Sequence, residues 1–303
     1  MKRKVIQIAE STQLVSLPRK WGKKYNIKKG DELEVTIKGN KIEISTDYSK
    51  TTEAMNLDIS DLGPMLSRWI HALYKRGIDE IRISYDDESQ IQEIYKSIEK
   101  ETVGYEIIDQ SKGSCTIKYV TGELGDFGSI LRRTFLVLLN MSEETYDALD
   151  KEQYDHLHNI SYLEEANNRF TTVCRRMLNK QGYDVKHSSG ALYYIIEDLE
   201  NIADYYKYLC VYLYKNKDKK RLDKETLECL KNTNLALKLF YESYYKFNKD
   251  NIVKIGIYRK EVIEKCLQIM EKNKGQNSVV AHHIITIMQK IFCLIGPHLV
   301  ISI

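Results

Sequence analysis

The chain has 303 residues, with 46 Lys and Arg against 43 Asp and Glu, and 29% of its residues are charged. A hydrophobic content of 43% excludes wholesale disorder, and the length is sufficient for two or three domains. Six widely spaced cysteines without a C-x-x-C pair exclude a disulfide framework and a zinc site of the usual spacing. The start, Met-Lys-Arg-Lys, does not lead into an apolar core, so no signal peptide is expected and a soluble, cytoplasmic protein is predicted.

The charges are distributed unevenly along the chain. Residues 1–50 contain 12 Lys and Arg and six Asp and Glu, a net charge of +6, whereas the remainder has a net charge of −3. A basic segment joined to a mildly acidic body is typical of a nucleic-acid-binding module attached to another domain. The alternative interpretation is a solvated basic surface without a partner.

Short alternating segments predict four strands in the first 50 residues. Pro18 suits the start of a single helical turn, because proline lacks the amide hydrogen that has no partner there. The predicted strands are 4–8, 14–17, 32–37 and 41–45, with Gly39-Asn40 as the turn of the last hairpin. These elements bury too little apolar surface to fold alone, so a second copy of the chain is the simplest source of a second layer.

The motifs of this segment resemble those of the AbrB/SpoVT/MazE swapped-hairpin family. The matching motifs are Leu17-Pro18-Arg19-Lys20, Ile27-Lys28-Lys29-Gly30-Asp31 and Gly39-Asn40-Lys41-Ile42. The resemblance implies that residues 1–47 form half of a dimeric swapped-hairpin β-barrel whose basic face binds double-stranded DNA. Some members of that family are antitoxins, and in others the hairpins serve dimerisation only.

The predicted DNA contacts are cationic side chains of the first strand and the helical turn. Lys and Arg neutralise backbone phosphates and release counterions, and Arg can also read a guanine edge. The candidates are Arg3, Arg19, Lys20, Lys23 and Lys24. The alternative is that the lysines only solvate the turn.

A polar linker over 46–56 and a compact α/β unit over 56–122 are predicted next. An amphipathic helix spans 62–76 and ends at Gly77, followed by a strand over 78–85 and a helix over 87–100. A hairpin then joins 105–109 to 115–120. The unit is interpreted as a spacer or dimerisation unit, and the alternative is a sensor for a small ligand.

From about residue 126, an apolar period of three to four residues predicts an all-α body over 126–303. The predicted helices lie near 126–140, 142–180, 187–216, 223–248, 250–273 and 278–296. Two sets of three helices suggest two three-helix bundles, about 126–216 and 223–303. The apolar stretch 284–303 is interrupted by Gln289, Lys290 and His298, so no membrane insertion is predicted, with a membrane span as the alternative. The predicted fold class is therefore multidomain α+β.

An acidic pair in the third of these helices is the candidate for metal chemistry. Glu200 and Asp204 lie one turn apart in Leu199-Glu200-Asn201-Ile202-Ala203-Asp204, so these like charges need a cation, protonation or free solvent. The segment resembles the E-x-x-x-D motif of the PhoU family. The resemblance implies a PhoU-like body that binds a divalent, iron or zinc metal through Glu200 and Asp204, with Glu164 or Glu165 as further ligands. The alternative is a solvated acidic face.

Two departures from the PhoU pattern are visible in the sequence. Asn201 stands where the family motif has arginine. The corresponding part of the second predicted bundle, residues 281–291, contains His282 and His283 but no second E-x-x-x-D motif.

Together the two resemblances predict a dimeric, DNA-binding transcriptional regulator of phosphate uptake with a PhoU-like sensing or docking body, and the arrangement resembles an archaeal fusion. The alternative is a PhoU-like interaction protein that regulates a phosphate transporter or kinase, with the N-terminal segment serving dimerisation only. No catalytic Ser-His-Asp or Cys-His spacing stands out, so no enzymatic activity is predicted. The expected partners are double-stranded DNA, a second copy of the chain through the N-terminal segment, and a phosphate-transport or signalling protein.

Overall fold

The structure of the protein is a computed structural model. It describes residues 2–9, 12–38, 41–46, 52–122, 125–181, 189–218, 221–272 and 275–303. The chain divides into two compact units, Met1–Thr51 and Thr52–Ile303.

The N-terminal unit contains four strands and one short helix. They are β1 (Val5–Ala9), β2 (Thr12–Val15), α1 (Arg19–Lys24), β3 (Glu34–Lys38) and β4 (Lys41–Ser45). β1 pairs antiparallel with β2, and β3 pairs antiparallel with β4. The four predicted strands are confirmed, and each of their ends lies within two residues of the observed end. The predicted Gly39-Asn40 turn lies outside the described residues. The four strands of this unit form two separate two-stranded sheets, so the swapped barrel stays a prediction.

The second unit begins with an α/β layer. Its elements are β5 (Ala54–Asp58), α2 (Leu66–Arg76), β6 (Glu80–Ser84), α3 (Gln90–Glu101), β7 (Tyr105–Ser111) and β8 (Ser114–Tyr119). The strand order is β5-β6-β8-β7, with β5 parallel to β6 and the other pairs antiparallel. One sheet with two helices is the α/β arrangement that the sequence predicts for this segment.

The apolar pattern explains most of this layer. α2 buries Leu66, Ile70 and Leu73 on one face and ends at Gly77, whose φ of +101° lies in the left-handed region that favours glycine. The linker prediction was wrong at its end, because β5 begins at Ala54. Leu57 is the residue of β5 that is buried, so the alternation of apolar and polar residues that predicts a strand is weak in this segment.

The rest of the second unit is a body of eight helices among the described residues. They are α4 (Phe127–Asp150), α5 (His156–Ser161), α6 (Leu163–Gln181), α7 (Ser189–Lys215), α8 (Lys224–Tyr245), α9 (Lys249–Lys272), α10 (Gln276–Cys293) and α11 (Ile295–Ser302). The predicted helix break at residue 141 was wrong. Met141, Ser142 and Thr145 continue the buried face of α4, and the chain turns only after Asp150, where Glu152 has a φ of +59°.

One contiguous hydrophobic core runs through this body. It contains side chains from the first predicted bundle, such as Leu138 and Leu199, together with side chains from the second, such as Phe240, Ile269 and Ile287. The two predicted sets of helices therefore share their core.

The C-terminal helices include a segment long and apolar enough to cross a membrane. Gln276–Ser302 has a mean hydropathy of 1.8 over its most apolar window, and 33% of that window is buried. Within it, α10 contributes Val280, Ile284, Ile287 and Ile291 to the core. A core helix of a folded body meets the same criterion of length and composition.

A buried arginine of α6 joins the helical body to the α/β layer. Arg176 donates hydrogen bonds to the carbonyl oxygens of Tyr74 (3.0 Å) and Ile78 (2.8 Å) and to Oδ1 of Asp79 (2.6 Å). Its guanidinium also lies 4.3 Å from the centroid of the Tyr119 ring. The amide of Gly77 also donates to the carbonyl oxygen of Tyr74 (3.0 Å), and the hydroxyl of Tyr105 donates to that of Ile78 (2.7 Å). The arginine is therefore a second donor to each of these acceptors at the end of α2.

Candidate nucleic-acid interface and acidic motif

The basic residues of the N-terminal unit are concentrated on α1. The helix begins after Pro18, whose carbonyl oxygen accepts the first helical hydrogen bond from the amide of Gly22 (3.0 Å). Four of its six residues are cationic and exposed: Arg19, Lys20, Lys23 and Lys24. Two of them, Lys23 and Lys24, lie in the last turn, where positive charge stabilises the helix dipole.

An aromatic pair supports the other side of this short helix. The rings of Trp21 and Tyr25 meet edge to face with their centroids 5.7 Å apart, and both residues are half-buried. The two rings pack against each other, while the four cationic side chains of the helix are exposed. Arg19, Lys20 and Lys23 make no ion pair with any carboxylate in the described part of the chain.

The turn after α1 explains the Gly-Asp part of the motif. The backbone amide of Lys28 donates to Oδ2 of Asp31 (2.7 Å), and Gly30 has a φ of +95°. A residue with a Cβ is strained at that φ, and the aspartate satisfies an amide that the turn leaves open. The turn therefore fixes where β3 starts relative to α1.

The strands of the N-terminal unit expose their apolar side chains. Eight of these side chains are between 46% and 75% exposed: Val5, Ile6, Ile8, Leu14, Val15, Val35, Ile37 and Ile42. None of the residues for which burial is described in 2–46 is buried. An apolar surface of this size without a covering layer marks an interaction surface.

The predicted contact residues are distributed over two places in this unit. Arg3 is exposed and precedes β1 by two residues, while the other four lie together on α1. The structure therefore brings Arg19, Lys20, Lys23 and Lys24 onto one element. Their binding to DNA stays a prediction at this point.

The acidic motif of α7 is neutralised by a buried arginine. Arg175 of α6, which is 1% exposed, forms ion pairs with Glu197 and Glu200. The hydroxyl of Thr171 donates a further hydrogen bond to Oε2 of Glu200 (2.8 Å). Glu200 therefore already has a cation and a neutral donor from the protein.

Lys207 neutralises Asp204, the second acid of the motif. Nζ of Lys207 lies 2.5 Å from Oδ1 of Asp204 and 2.7 Å from Oε1 of Glu164. Burial raises the pKa of Glu164, although the hydrogen bond and charge of Lys207 oppose the rise. Burial lowers the pKa of Lys207, but the hydrogen bonds to Asp204 and Glu164 outweigh it, so the pKa is raised.

These contacts bear on the predicted metal ligands. Glu200 and Asp204 each bind a protein cation, Glu164 shares the lysine of Asp204, and Glu165 makes no ion pair with a described residue. The described residues include no group of three or more His, Cys, Asp and Glu side chains placed to hold a metal. The oxygen donors in this arrangement therefore do not fit a metal ion, and the metal stays an untested prediction.

The cations of this network were not predicted from the sequence. Arg175 and Arg176 are adjacent in an apolar stretch of α6, and adjacent helical residues point about 100° apart. One therefore faces α7 and the other faces the α/β layer. In the sequence, the signal for the ion pairs of Arg175 and Arg176 is the occurrence of two consecutive arginines in an apolar stretch.

Comparison with known proteins identifies the N-terminal segment. The family model described as antidote-toxin recognition MazE, bacterial antitoxin, matches residues 6–51. The chain thus has a MazE-type domain at its N-terminus, followed by a helical C-terminal body. No curated protein and no solved structure matches the chain. The PhoU resemblance of the body stays a prediction.

Proposed function

We propose that the protein is a dimeric DNA-binding regulator whose MazE-type domain contacts the duplex through α1. The observation that supports the proposal is the set of exposed cations on this one short helix within a domain of that type. Arg19, Lys20 and Lys23 face solvent and form no ion pair with a described carboxylate, so these side chains can neutralise phosphates, and the exposed Lys24 lies beside them. Arg3, beside β1, is the fifth contact that we infer.

The dimer is supported by the uncovered strands of the same domain. Fully burying a Val, Leu or Ile side chain contributes about 1.5–3 kcal/mol, so covering eight exposed apolar side chains is a large driving force. A second copy of the domain has the same uncovered surface. A symmetric pairing of two such surfaces, with hairpins exchanged, satisfies both chains at once.

The finer proposal concerns the helical body. We infer that it senses a signal or docks on a partner and that the regulated process is phosphate uptake in the cytoplasm. The support is the motif Leu199-Glu200-Asn201-Ile202-Ala203-Asp204 and its helical context. An effector can alter DNA binding only if it binds one arrangement of the dimer better than another.

The test of DNA binding is a titration of two labelled duplexes at several salt concentrations. One duplex is the region upstream of the gene, and the other is a scrambled sequence of equal length. We expect a preference of at least about tenfold for the first near physiological salt, since specific sites exceed non-specific DNA by far more in typical regulators. Replacing the four α1 cations by Gln should lower the salt slope by about one unit for each phosphate that is no longer neutralised.

A matched variant separates the site from total charge. Lys231, Lys238, Lys254 and Lys260 are exposed lysines of α8 and α9, and replacing them by Gln removes the same charge from the helical body. This control should keep the affinity and the slope of the wild type. Equal weakening in both variants would refute the assignment to α1. Absence of binding by the wild type would instead favour the interaction protein in which the domain only dimerises.

A further inference from the structure

A cavity of about 590 Å³ lies within the second unit, between α2 of the α/β layer and helices α6 and α7. Its size is within the range of about 300–1,000 Å³ that is usual for small-ligand sites. Its wall includes three Lys and Arg side chains, one acid and one tyrosine ring. The residues that matter are Arg68, His71, Lys75, Arg76, Glu101 and Tyr193.

The acid in this wall already has a partner. Nδ1 of His71 lies 2.8 Å from Oε2 of Glu101, and its Nε2 lies 2.8 Å from the carbonyl oxygen of Ser97. The carboxylate and the carbonyl oxygen lie at the two ring nitrogens, so the imidazole is held between Glu101 and the backbone of α3. Glu101 therefore pairs with the buried histidine and forms no ion pair with Arg68, Lys75 or Arg76.

The remaining cations exceed the carboxylates around them. Lys75 lies 4.0 Å from Glu200, which with Glu197 also neutralises Arg175, so two acids balance two bases behind the cavity. Arg68 and Arg76 are exposed and make no ion pair with any carboxylate of the described chain. Among the described residues, the cavity therefore has two arginines that form no ion pair.

The spacing of the three cations along α2 indicates the length of the ligand. Arg68 is separated from Lys75 and Arg76 by seven and eight residues, which is two helical turns and about 10–12 Å along α2. All three lie on the face of the helix that lines the cavity. A single phosphate contacts one end of this row, whereas phosphoryl groups in succession can engage both ends.

We propose that this cavity binds a small diphosphate-bearing ligand, of the size of a nucleoside diphosphate, with Arg68 at one end of the diphosphate and Lys75 and Arg76 at the other. A guanidinium binds phosphoryl oxygens in a bidentate manner, and two arginines without an ion pair in the described chain match the charge of a diphosphate better than that of a monocarboxylate. The ring of Tyr193 supplies an apolar wall for the organic part.

Lys75 gives the inferred site a pH signature. Burial and the charge of Arg175 lower its pKa to about 8, against the opposing charges of Glu101 and Glu197. The groups that face it are Arg68, His71 and Arg76 of α2, Glu101 of α3, Arg175 of α6, and Glu197 and Glu200 of α7. An anion placed beside the amine favours its charged form, so binding at pH 8 takes up a proton.

The experiment is calorimetric titration of the full chain, without Mg²⁺, with ADP, pyrophosphate and inorganic phosphate. We expect ADP and pyrophosphate to bind at least about tenfold more tightly than phosphate, because each arginine contact with a phosphoryl group adds about that factor. Tighter binding of ADP than of pyrophosphate would assign the site to a nucleotide. Equal affinities would assign it to the diphosphate group alone.

Two arginine-to-glutamine variants, one inside the cavity and one outside it, test the assignment of the binding site. Arg68→Gln with Arg76→Gln should weaken pyrophosphate binding by roughly tenfold or more for each arginine, while the unfolding temperature without ligand stays unchanged. Arg133→Gln is the control, because Arg133 of α4 is exposed, outside the cavity and without an ion pair in the described chain. It should bind as the wild type does.

Several results would overturn the inference. These are no binding of ADP or pyrophosphate near 1 mM, equal affinity of the wild type and the double variant, or phosphate binding as tight as that of pyrophosphate. A double variant with reduced affinity for duplex DNA, while neither small probe binds, would make the surface a DNA contact instead. The titrations contain no DNA, so a failure of DNA binding by α1 leaves this test intact.

A second readout tests the part of Lys75. Titrations at pH 8 in two buffers of different ionisation enthalpy should report a net uptake of protons on binding, since burial lowers the pKa of the free amine and a bound anion favours its charged form. The uptake should vanish in Lys75→Gln. Uptake that is unchanged in that variant, or absent in the wild type, would overturn the role of the lysine.

Discussion

Replacing Arg176 by Met should weaken the attachment of the α/β layer to the helical body. The substitution keeps the apolar stem but removes the hydrogen bonds to the carbonyl oxygens of Tyr74 and Ile78 and the ion pair with Asp79. Removing one partner of a buried ion pair costs about 3–5 kcal/mol. Lys180 still pairs with Asp79, so the remaining charge is not isolated and we expect the lower figure, about 3 kcal/mol.

The assay is the unfolding temperature of the second unit by differential scanning calorimetry. About 1 kcal/mol corresponds to about 2–4 °C for domains of 150–250 residues, so Arg176→Met should lower the midpoint by about 6–12 °C. Lys180→Met is the matched control, because it removes the other cation of Asp79 from a side chain that is 30% exposed. Its cost should be about 1 kcal/mol or less. Equal shifts in the two variants would refute the argument that burial of Arg176 sets the magnitude.

Three further predictions concern the dimer, the acidic motif and the pH dependence of stability. Ile37→Lys should dissociate the dimer in sedimentation velocity. The control Ile257→Lys, at a 52% exposed position of α9, should leave the dimer intact. A dimer retained in both variants would contradict a dimer surface on β3. Glu200→Ala with Asp204→Ala should leave the metal content of the purified chain unchanged by elemental analysis, because protein cations already neutralise both acids, and loss of metal in the variant would restore the predicted metal site. Burial raises the pKa of Glu101, but the hydrogen bond and charge of His71 outweigh it and hold the pKa at about 2, below the ordinary 4.5. The glutamate thus contributes up to about 3 kcal/mol above pH 4.5, which is lost as the pH falls toward 2. In urea unfolding between pH 6 and pH 3, wild type should lose more stability than Glu101→Gln, and equal losses would exclude this contribution.

The sequence predicted local elements well where turn chemistry and the apolar period agreed. The hairpin of the α/β layer, the end of α2 at Gly77 and the strands of the MazE-type domain were all predicted from neighbouring residues. Such features depend on backbone conformations that one or two residues select, as at Gly30. They can therefore be inferred before any long-range contact is known.

Two predictions, for β5 and for the break in α4, were wrong because contacts between distant residues determine these elements. β5 pairs in parallel with β6, with Leu57 opposite Ile83, and a pairing over that separation leaves no mark in the five residues of β5. The helix break at residue 141 had no glycine or proline to support it. The buried face of α4 continues across it because helices from both predicted sets pack there.

The sequence by itself determined the basic N-terminal segment, its strand and turn pattern, and the acidic pair on α7, because charge, apolar period and turn residues are properties of neighbouring positions. Only the tertiary structure decided what neutralises that pair, which cations remain unpaired on α2 among the described residues and where a cavity opens. Arg175 and Arg176 show why: adjacent in the chain, they face different elements and meet acids that are 22 and 97 residues away. Ion pairs depend on distances of a few ångströms in space, and folding alone brings such distant residues together.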